Sequence, residues 1–159
     1  MPAIYFLLMS ISIQLAGASD LDALLFLMRR MQIDDPWGEA FDEATVRQSL
    51  SELLANPQFG IAYLVRQQQS PIAYLVICFD YSLEYRGKGA WIDELFVDAS
   101  HRGQGIGTRL LDLAERASRE QGAQFLHLEV THGNRANELY RLRGFVDHSR
   151  FLMSKDLFP

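Results

Sequence analysis

The order of hydrophobic and polar positions along the chain predicts six strands. Residues 10–15 alternate between apolar and polar side chains, which is typical of a half-buried strand. The pentapeptide Ile-Ala-Tyr-Leu-Val occurs twice, at 61–65 and at 72–76, and predicts two neighbouring strands of an antiparallel hairpin. Further apolar runs predict strands at 91–97, 125–130 and 151–155.

Apolar residues spaced three and four apart predict four helices, over about 20–31, 43–55, 107–121 and 135–143. The segments 33–43 and 81–89 are polar and predict loops. Strands grouped early and a strand–helix–strand unit late in the chain predict a mixed α/β (α+β) sheet with a parallel pair at its centre. At 159 residues with no visible linker, the chain is expected to form a single domain.

Three glycines at alternate positions, Gly103, Gly105 and Gly107, separate the predicted strand at 91–97 from the helix that follows. The amide groups of a first helical turn have no partner within the helix, and the helix dipole adds partial positive charge there. Glycine lets such a backbone approach an anion closely. The pattern therefore indicates a phosphate-binding loop.

The spacing narrows the choice of phosphate ligand. The third glycine of the dinucleotide pattern Gly-x-Gly-x-x-Gly is missing, and no Gly-Lys-Ser/Thr follows as in a P-loop. The segment Arg102-x-x-Gly105-x-Gly107, directly after Leu95-Phe96-Val97, instead resembles the coenzyme A pyrophosphate loop of the GCN5-related N-acetyltransferase (GNAT) family.

Two further segments carry the same resemblance. Acidic residues stand just upstream of the loop in the strand at 91–97, as in the central strand of that family. The segment 136–145 resembles the closing signature of the family, a short helix that ends in Tyr140-x-x-x-Gly144-Phe145. The resemblance is clearest over residues 72–146 and is weaker over residues 10–65.

The resemblance implies a central mixed sheet, flanked by helices, whose two parallel strands splay apart and admit the pantetheine arm of acetyl-CoA. Backbone groups of one strand would bind that arm, and the glycine loop would bind the pyrophosphate. The family often has Asn three residues before the alanine that corresponds to Ala136; here that residue is Gly133, and Asn134 follows it. The expected coenzyme-binding residues are Leu95, Phe96, Val97, Arg102, Gly103, Gln104, Gly105, Ile106, Gly107, Thr108 and Asn134.

Direct attack by an amine requires a neutral nitrogen, and freeing a lysine-like amine of its proton at pH 7 costs roughly 4–5 kcal/mol. A carboxylate close to the acceptor removes that proton, and Asp93 and Glu94 are the candidates. Adjacent strand residues are expected to point to opposite faces, so that only one can serve. Polyamine-type acetyltransferases show a similar acidic pair, which favours Asp93, whereas many other relatives favour Glu94. The resemblance makes Tyr140 the general acid that protonates the departing thiolate.

The amine acceptor is less well defined by the sequence. The loop at 33–43 contains five acidic residues and Trp37, and the family places a variable acceptor-binding segment there. Carboxylates can attract a cation and an indole can stack on it, although a solvated surface loop explains the composition equally well. Trp37, Glu39 and Tyr81 are the predicted acceptor-binding residues. A polyamine, an amino acid side chain, an aminoglycoside or a protein lysine would each fit.

The composition argues against several other functions. The net charge is −5 and no basic stripe is visible, which argues against nucleic acid as a partner. The single Cys78 cannot form an internal disulfide and lies in an apolar run, so a packing thiol is favoured over an acyl-carrying nucleophile. The spacing of His127, Glu129 and His132 is not that of a helical zinc site, so no metal is expected.

The apolar N-terminal run lacks a positive region, which favours a cytoplasmic protein with no membrane association. Met9 is an alternative start of the chain.

Taken with these observations, the resemblance to the GNAT family implies an acetyl-CoA-dependent N-acetyltransferase that acts on a primary amine in a ternary complex. Two alternatives stay open, a non-catalytic acyl-CoA-binding or regulatory module and a transferase that uses a larger acyl donor. Many relatives form pairs, so a homodimer is a further expectation.

Overall fold

The computed structural model describes residues 11–36 and 40–157. The chain divides into two compact units, residues 1–129 and 130–159. The first unit contains a five-stranded sheet in the order β1-β2-β3-β4-β5, in which β1 to β4 are antiparallel neighbours and β4 and β5 are parallel. The strands are β1 Ile11–Leu15, β2 Gly60–Gln67, β3 Ser70–Ser82, β4 Gly87–Val97 and β5 Phe125–Leu128. The mixed α/β class predicted from the pattern is confirmed. The parallel pair was predicted at the centre of the sheet, but among the described residues it lies at one edge, because β5 is the last strand in the order.

Three longer helices belong to the first unit, α1 Leu21–Asp34, α2 Glu43–Ala55 and α3 Ile106–Glu120, and a short α4 Asn137–Leu142 belongs to the second. Asp42 caps α2, since its side chain accepts a hydrogen bond from the amide of Ala44. Gly122 follows α3 with φ +80°, the left-handed conformation that commonly ends a helix. No helix in the described part of the chain combines the length and apolarity that a bilayer crossing requires.

The two faces of the sheet are covered by different helices. Tyr74, Val76 and Phe96 pack with α1 and α2 in one buried cluster. Side chains alternate along a strand, so Leu75 and Ile77 lie on the opposite face. There α3, which contacts β3 and β4, buries the apolar side chains Ile106, Leu110, Leu111, Ala114 and Ala117. Burial of apolar side chains on both faces holds β4 in place between the helices. The position of the glycine loop follows, because the loop begins directly after β4.

The predicted hairpin of β2 and β3 is confirmed, but the predicted polar loop at 81–89 is too long. The strands β3 and β4 continue in register as far as Ser82 opposite Gly87, which leaves a turn of residues 83–86. The polar residues suggested a loop, yet at the end of a sheet they can face solvent while their backbone groups still pair. The sequence pattern therefore missed a long antiparallel pair.

The predicted last strand at 151–155 is wrong. The structure describes residues 145–157 without helix or strand, and Phe151 and Met153 are about nine-tenths exposed, at 93% and 90%. Apolar residues alone do not make a strand, because the backbone groups of a strand require a paired neighbour. The predicted strand at 125–130 is likewise shorter and ends at Leu128.

Candidate active site

The glycine loop has the backbone that its sequence predicts. Gly103 and Gly105 adopt φ of +73° and +76°, a region that L side chains rarely occupy, and Gly105 is the N-cap of α3. A Cβ added at either position would meet no described atom within 4 Å. Glycine is therefore favoured at both positions by the backbone conformation and not by a lack of space. The space next to each glycine is open. Gly107 lies within α3 itself.

The first turn of α3 follows Gly105 directly, and its amides have no acceptor inside the helix. Ile106 buries its side chain, so only its backbone is placed to meet a ligand, whereas Gln104 is exposed and Thr108 is half-buried. A helix N-terminus of this kind favours an anion by its dipole and its amide groups.

A buried carboxylate holds the start of the loop in place. Asp98 is 6% exposed, and its Oδ1 accepts hydrogen bonds from the backbone amide of Ser100 at 3.1 Å and from its hydroxyl at 2.8 Å. Its Oδ2 pairs with Nε of Arg30 on α1 at 2.7 Å. Burial opposes ionisation of Asp98, but the hydrogen bonds from Ser100 and the charge of Arg30 keep its pKa below the ordinary value. No local sequence pattern indicates this contact, because Arg30 and Asp98 are far apart in the chain.

Arg102 also ties the loop to its surroundings. Its Nε donates to the carbonyl oxygen of Val97 at 2.8 Å, and its guanidinium pairs with Asp34 at 2.6 Å. The guanidinium carbon lies 5.7 Å from the centre of the Phe96 ring. The side chain of Arg102 thus fixes the end of β4 against α1, while its backbone forms part of the loop.

Replacement of Asp98 by alanine is expected to destabilise the fold by about 2 kcal/mol, because a cap and a partly buried ion pair are lost together. Urea unfolding followed by circular dichroism measures this change. Ser100→Ala is the matched control, since it removes the contacts of the hydroxyl with Asp98 and His101 but leaves the hydrogen bond from the Ser100 amide and the Arg30 pair. A loss no larger for Asp98→Ala than for Ser100→Ala would contradict the assigned role of Asp98.

The parallel strands β4 and β5 pair over a short distance. The register joins Gly89 with Phe125 and ends where Ile92 pairs with Leu128. The strand β4 continues to Val97, and among the described residues no strand pairs with 93–97 on the β5 side. Backbone groups of Leu95, Phe96 and Val97 therefore lie along a sheet edge that opens directly beside the glycine loop.

A β-bulge in β4 brings the two acidic residues to the same face. In the ladder with β3, Glu94 lies opposite Val76 and Ile92 lies opposite Ile77, so Asp93 is the additional residue. Trp91 pairs with Cys78 and Phe96 pairs with Tyr74, and the two β3 residues, four apart, share a face. Since Asp93 follows Trp91 by two residues and Glu94 precedes Phe96 by two, both carboxyl groups belong to that face. The expectation that they point to opposite faces is corrected, because it assumed a strand without a bulge.

Glu94 has the properties of a base that is poised near neutral pH. The hydroxyl of the buried Tyr74 donates to Oε2 of Glu94 at 2.9 Å. Burial raises the pKa of Glu94 to about 7, the Tyr74 hydrogen bond opposes this rise, and the charge of Asp93 adds to it. Burial also raises the pKa of Asp93, although its side chain remains accessible to solvent.

Cys78 lies on the same face. Burial, followed by the charges of Asp93 and Glu94, raises the pKa of its thiol to about 11. A thiol of this pKa holds its proton at neutral pH and is a poor nucleophile. The packing role favoured by its apolar surroundings fits this environment.

An aromatic cluster continues the face beyond the acidic pair. The ring of His127 lies 4.9 Å from that of Trp91 and 4.5 Å from that of Tyr85, and Tyr85 lies 4.7 Å from Phe125. The Nε1 group of Trp91 donates to Oδ2 of Asp80 at 3.1 Å. The cluster has no signal in the sequence, because its members come from a turn and two strands whose register only the sheet defines.

The acidic segment at 33–43 is largely occupied by structural contacts. Asp34 pairs with Arg102, Asp42 caps α2 and also accepts a hydrogen bond from Thr45, and Glu43 pairs with Arg29 and Arg47. These three carboxylates are therefore engaged in contacts within the fold, and their attraction of a cationic acceptor stays a prediction. Trp37 and Glu39, two predicted acceptor contacts, lie outside the described residues.

Tyr81, the third predicted acceptor contact, is 76% exposed. It pairs with Lys88 and follows Asp80 by one residue, so its side chain lies on the face opposite Asp80 and the acidic pair. The structure therefore does not bring Tyr81 together with Asp93 and Glu94.

The second unit contains Asn134 and Tyr140. Oδ1 of Asn134 accepts a hydrogen bond from the amide of Ala136 at 2.8 Å, so the side chain helps to begin α4. Tyr140 is half-buried on α4, its ring centre lies 6.0 Å from that of Phe145, and burial raises the pKa of its phenol. The phenol is therefore protonated at neutral pH and is able to donate a proton.

The chain is similar to known proteins both in sequence and in fold. A model of the acetyltransferase (GNAT) family matches residues 25–145, a range that includes both the glycine loop and Tyr140. The chain is 30% identical over 77 residues to the thialysine N-epsilon-acetyltransferase of Bos taurus. That alignment covers 48% of this chain and 45% of the relative, so it spans less than half of the curated protein.

Solved structures share the fold. An integron cassette protein from the mobile metagenome of Cole Harbour Salt Marsh superimposes with a TM-score of 0.81 at 24% identity, over 92% of this chain and 91% of its own. A predicted acetyltransferase from Clostridium acetobutylicum, solved with acetyl-CoA, gives a TM-score of 0.80 at 20% identity, over 92% and 96% of the two chains. At this identity the likeness establishes the fold.

Proposed function

Because the chain belongs to the acetyltransferase (GNAT) family, we propose that it is an acetyl-CoA-dependent N-acetyltransferase that acts on a primary amine. The observation that carries the proposal is Glu94, a carboxyl group with a pKa of about 7, on the strand whose open edge leads into the glycine loop. The name of the Bos taurus relative supports an amine acceptor.

The residues of the loop and of β4 are suited to hold acetyl-CoA. Amides of the first turn of α3 and of the loop at 102–105 would bind the pyrophosphate, as the dipole and the two left-handed glycines favour. Backbone groups of Leu95, Phe96 and Val97 would bind the pantetheine arm in the manner of a neighbouring strand. When bound, acetyl-CoA would supply a thioester carbonyl. Attack of the acceptor amine on that carbonyl would give an amide and a free thiol.

We assign the proton transfers to two side chains. Glu94 takes the proton from the ammonium group of the acceptor, and its pKa near 7 lets it be largely ionised at slightly alkaline pH while it remains an effective base. Tyr140 donates its phenolic proton to the departing thiolate, and the raised pKa of that phenol keeps the proton available. The nitrogen–carbon bond forms as the carbon–sulfur bond breaks. The ammonium group loses two protons on the way to the amide: Glu94 takes the first, and the second, released from the nitrogen after attack, restores the phenol of Tyr140 through solvent.

The proposal is tested by measuring release of free thiol from acetyl-CoA in the presence of a panel of primary amines, with the acetylated product identified by mass spectrometry. We expect thiol release that depends on an amine and yields a product heavier by one acetyl group. Tight acetyl-CoA binding without transfer to any amine would instead indicate a non-catalytic acyl-CoA-binding module.

Replacing Tyr140 by phenylalanine is expected to lower kcat by about 10²-fold, because the thiolate then leaves without its proton donor. The KM for acetyl-CoA should change little, since the ring and its contact with Phe145 remain. Steady-state kinetics with acetyl-CoA as the varied substrate measures both constants. Phe145→Leu, which perturbs the same ring contact and keeps the hydroxyl, is the control; an equal loss of kcat in that variant would argue for a packing role.

A further inference from the structure

The aromatic cluster has a defined place relative to the acidic pair. Trp91 pairs with Cys78 in β3 and with His127 in β5, so the rings of Trp91 and His127 share the face of Asp93 and Glu94. Phe125 pairs with Gly89, two residues before Trp91, and so lies on this face as well. Four rings therefore form a continuous aromatic surface that begins two residues away from Asp93.

This surface is accessible at the end that lies away from the helices. Tyr74, Val76 and Phe96 are buried under α1 and α2, whereas Phe125 is 41% exposed and Trp91 and His127 are half-buried. A largely apolar surface with a few convergent polar groups is typical of small-molecule sites. The acidic pair supplies the polar groups here.

The indole of Trp91 is held in one orientation. Its Nε1 group donates to Oδ2 of Asp80 at 3.1 Å, and the Asp80 carboxylate occupies the space that a side chain at position 89 would need. Gly89 thus allows Asp80 to lie flat on the sheet and to hold the indole. One oxygen of Asp80 is engaged by the indole, so this carboxylate serves Trp91 as a positioning group.

We propose that Trp91, oriented by Asp80 and flanked by His127, is the platform that selects the acceptor, and that it favours a primary amine carrying a flat aromatic group. This inference rests on the proposed function, since it places the amine at Asp93 and Glu94. Residues two apart on a strand are separated by roughly 7 Å. An aromatic ring joined to an amine by two or three methylene groups covers most of this distance, and the hydrogen bond from the amine to a carboxylate covers the rest. An aromatic ring on such a linker stacks on the indole while its amine reaches the carboxylates.

The test compares acceptors of matched length: 2-phenylethylamine, butylamine and 1,4-diaminobutane, each assayed by thiol release at saturating acetyl-CoA. We expect kcat/KM for 2-phenylethylamine to exceed that for the other two by about tenfold. In Trp91→Leu this preference should disappear. In Asp80→Ala, which changes an exposed residue and leaves the indole in place but unfixed, the preference should fall about threefold. Glu52→Ala, which removes an exposed carboxylate on α2, is the control and should keep the full preference.

The outcomes separate this inference from the function on which it rests. A preference for butylamine or for the diamine, unchanged in Trp91→Leu, would overturn the aromatic platform and leave the acetyltransferase standing. Absence of thiol release with every amine would overturn both. An aromatic preference that survives in Trp91→Leu and in Asp80→Ala would place the selecting surface elsewhere and also overturn the inference.

Discussion

Replacing Glu94 by glutamine is expected to lower kcat by about 10²- to 10⁴-fold, because the amide cannot accept the proton of the acceptor. For the unmodified protein, kcat/KM should rise with pH and level off above about 7, where Glu94 becomes ionised. In Glu94→Gln that acidic limb should disappear. Measurement of kcat/KM between pH 5.5 and 8.5 for both proteins provides the comparison.

Asp93→Asn is the matched control for this prediction. The charge of Asp93 raises the pKa of Glu94, so its removal should move the acidic limb to lower pH while substantial activity remains. If Asp93→Asn abolished the limb and Glu94→Gln kept it, the base would be Asp93. The two variants thus decide between the carboxylates that the sequence left open.

Glu94→Gln is also expected to change the free energy of unfolding, in a direction that the pKa of Glu94 determines. Glu94 has a higher pKa in the folded protein than in the unfolded chain, so the folded state binds its proton more tightly. The contribution of Glu94 to stability is therefore fully present below about pH 4.5 and is lost as the pH rises to about 7. At pH 8 the neutral amide of Glu94→Gln avoids this cost, and thermal unfolding should show a variant more stable by about 1–3 kcal/mol. Lower activity with higher stability would exclude misfolding as the cause of the loss.

Replacing Gly105 by valine is expected to weaken acetyl-CoA binding by at least about 100-fold, or about 3 kcal/mol. A β-branched residue resists φ of +76°, so the loop must distort, and its side chain enters the open space where the proposed pyrophosphate lies. Isothermal titration with acetyl-CoA measures the dissociation constant directly.

Gly122→Val is the control for strain alone. Gly122 has φ of +80° with open space around its Cβ position, as Gly105 does, but it lies beyond the opposite end of α3, roughly 25 Å away. Both variants should lose similar stability in urea, whereas only Gly105→Val should lose acetyl-CoA binding. Equal binding by the two variants would show that the loop does not hold the coenzyme.

Much of the fold was predictable because its signals are local. Helices α2 and α3 agree with the predicted spans within one residue, and each is delimited by a nearby cap or glycine. The glycine loop was recognisable because φ and the start of a helix depend on residues within a few positions. The prediction of a strand at 151–155 was wrong because a strand forms only when a second strand pairs with it. The local sequence pattern does not show whether such a second strand is present.

The amino-acid sequence by itself determined the family, the mixed sheet, the left-handed glycines before α3 and the identity of the acidic pair. Only the tertiary structure decided what surrounds that pair. The bulge at Asp93, the hydrogen bond from Tyr74 to Glu94 and the contacts of Trp91 with Asp80 and His127 each join segments that are separated in the chain. The physical reason is that backbone conformation follows from neighbouring residues, whereas desolvation, and with it the pKa of Glu94, follows from packing between distant ones.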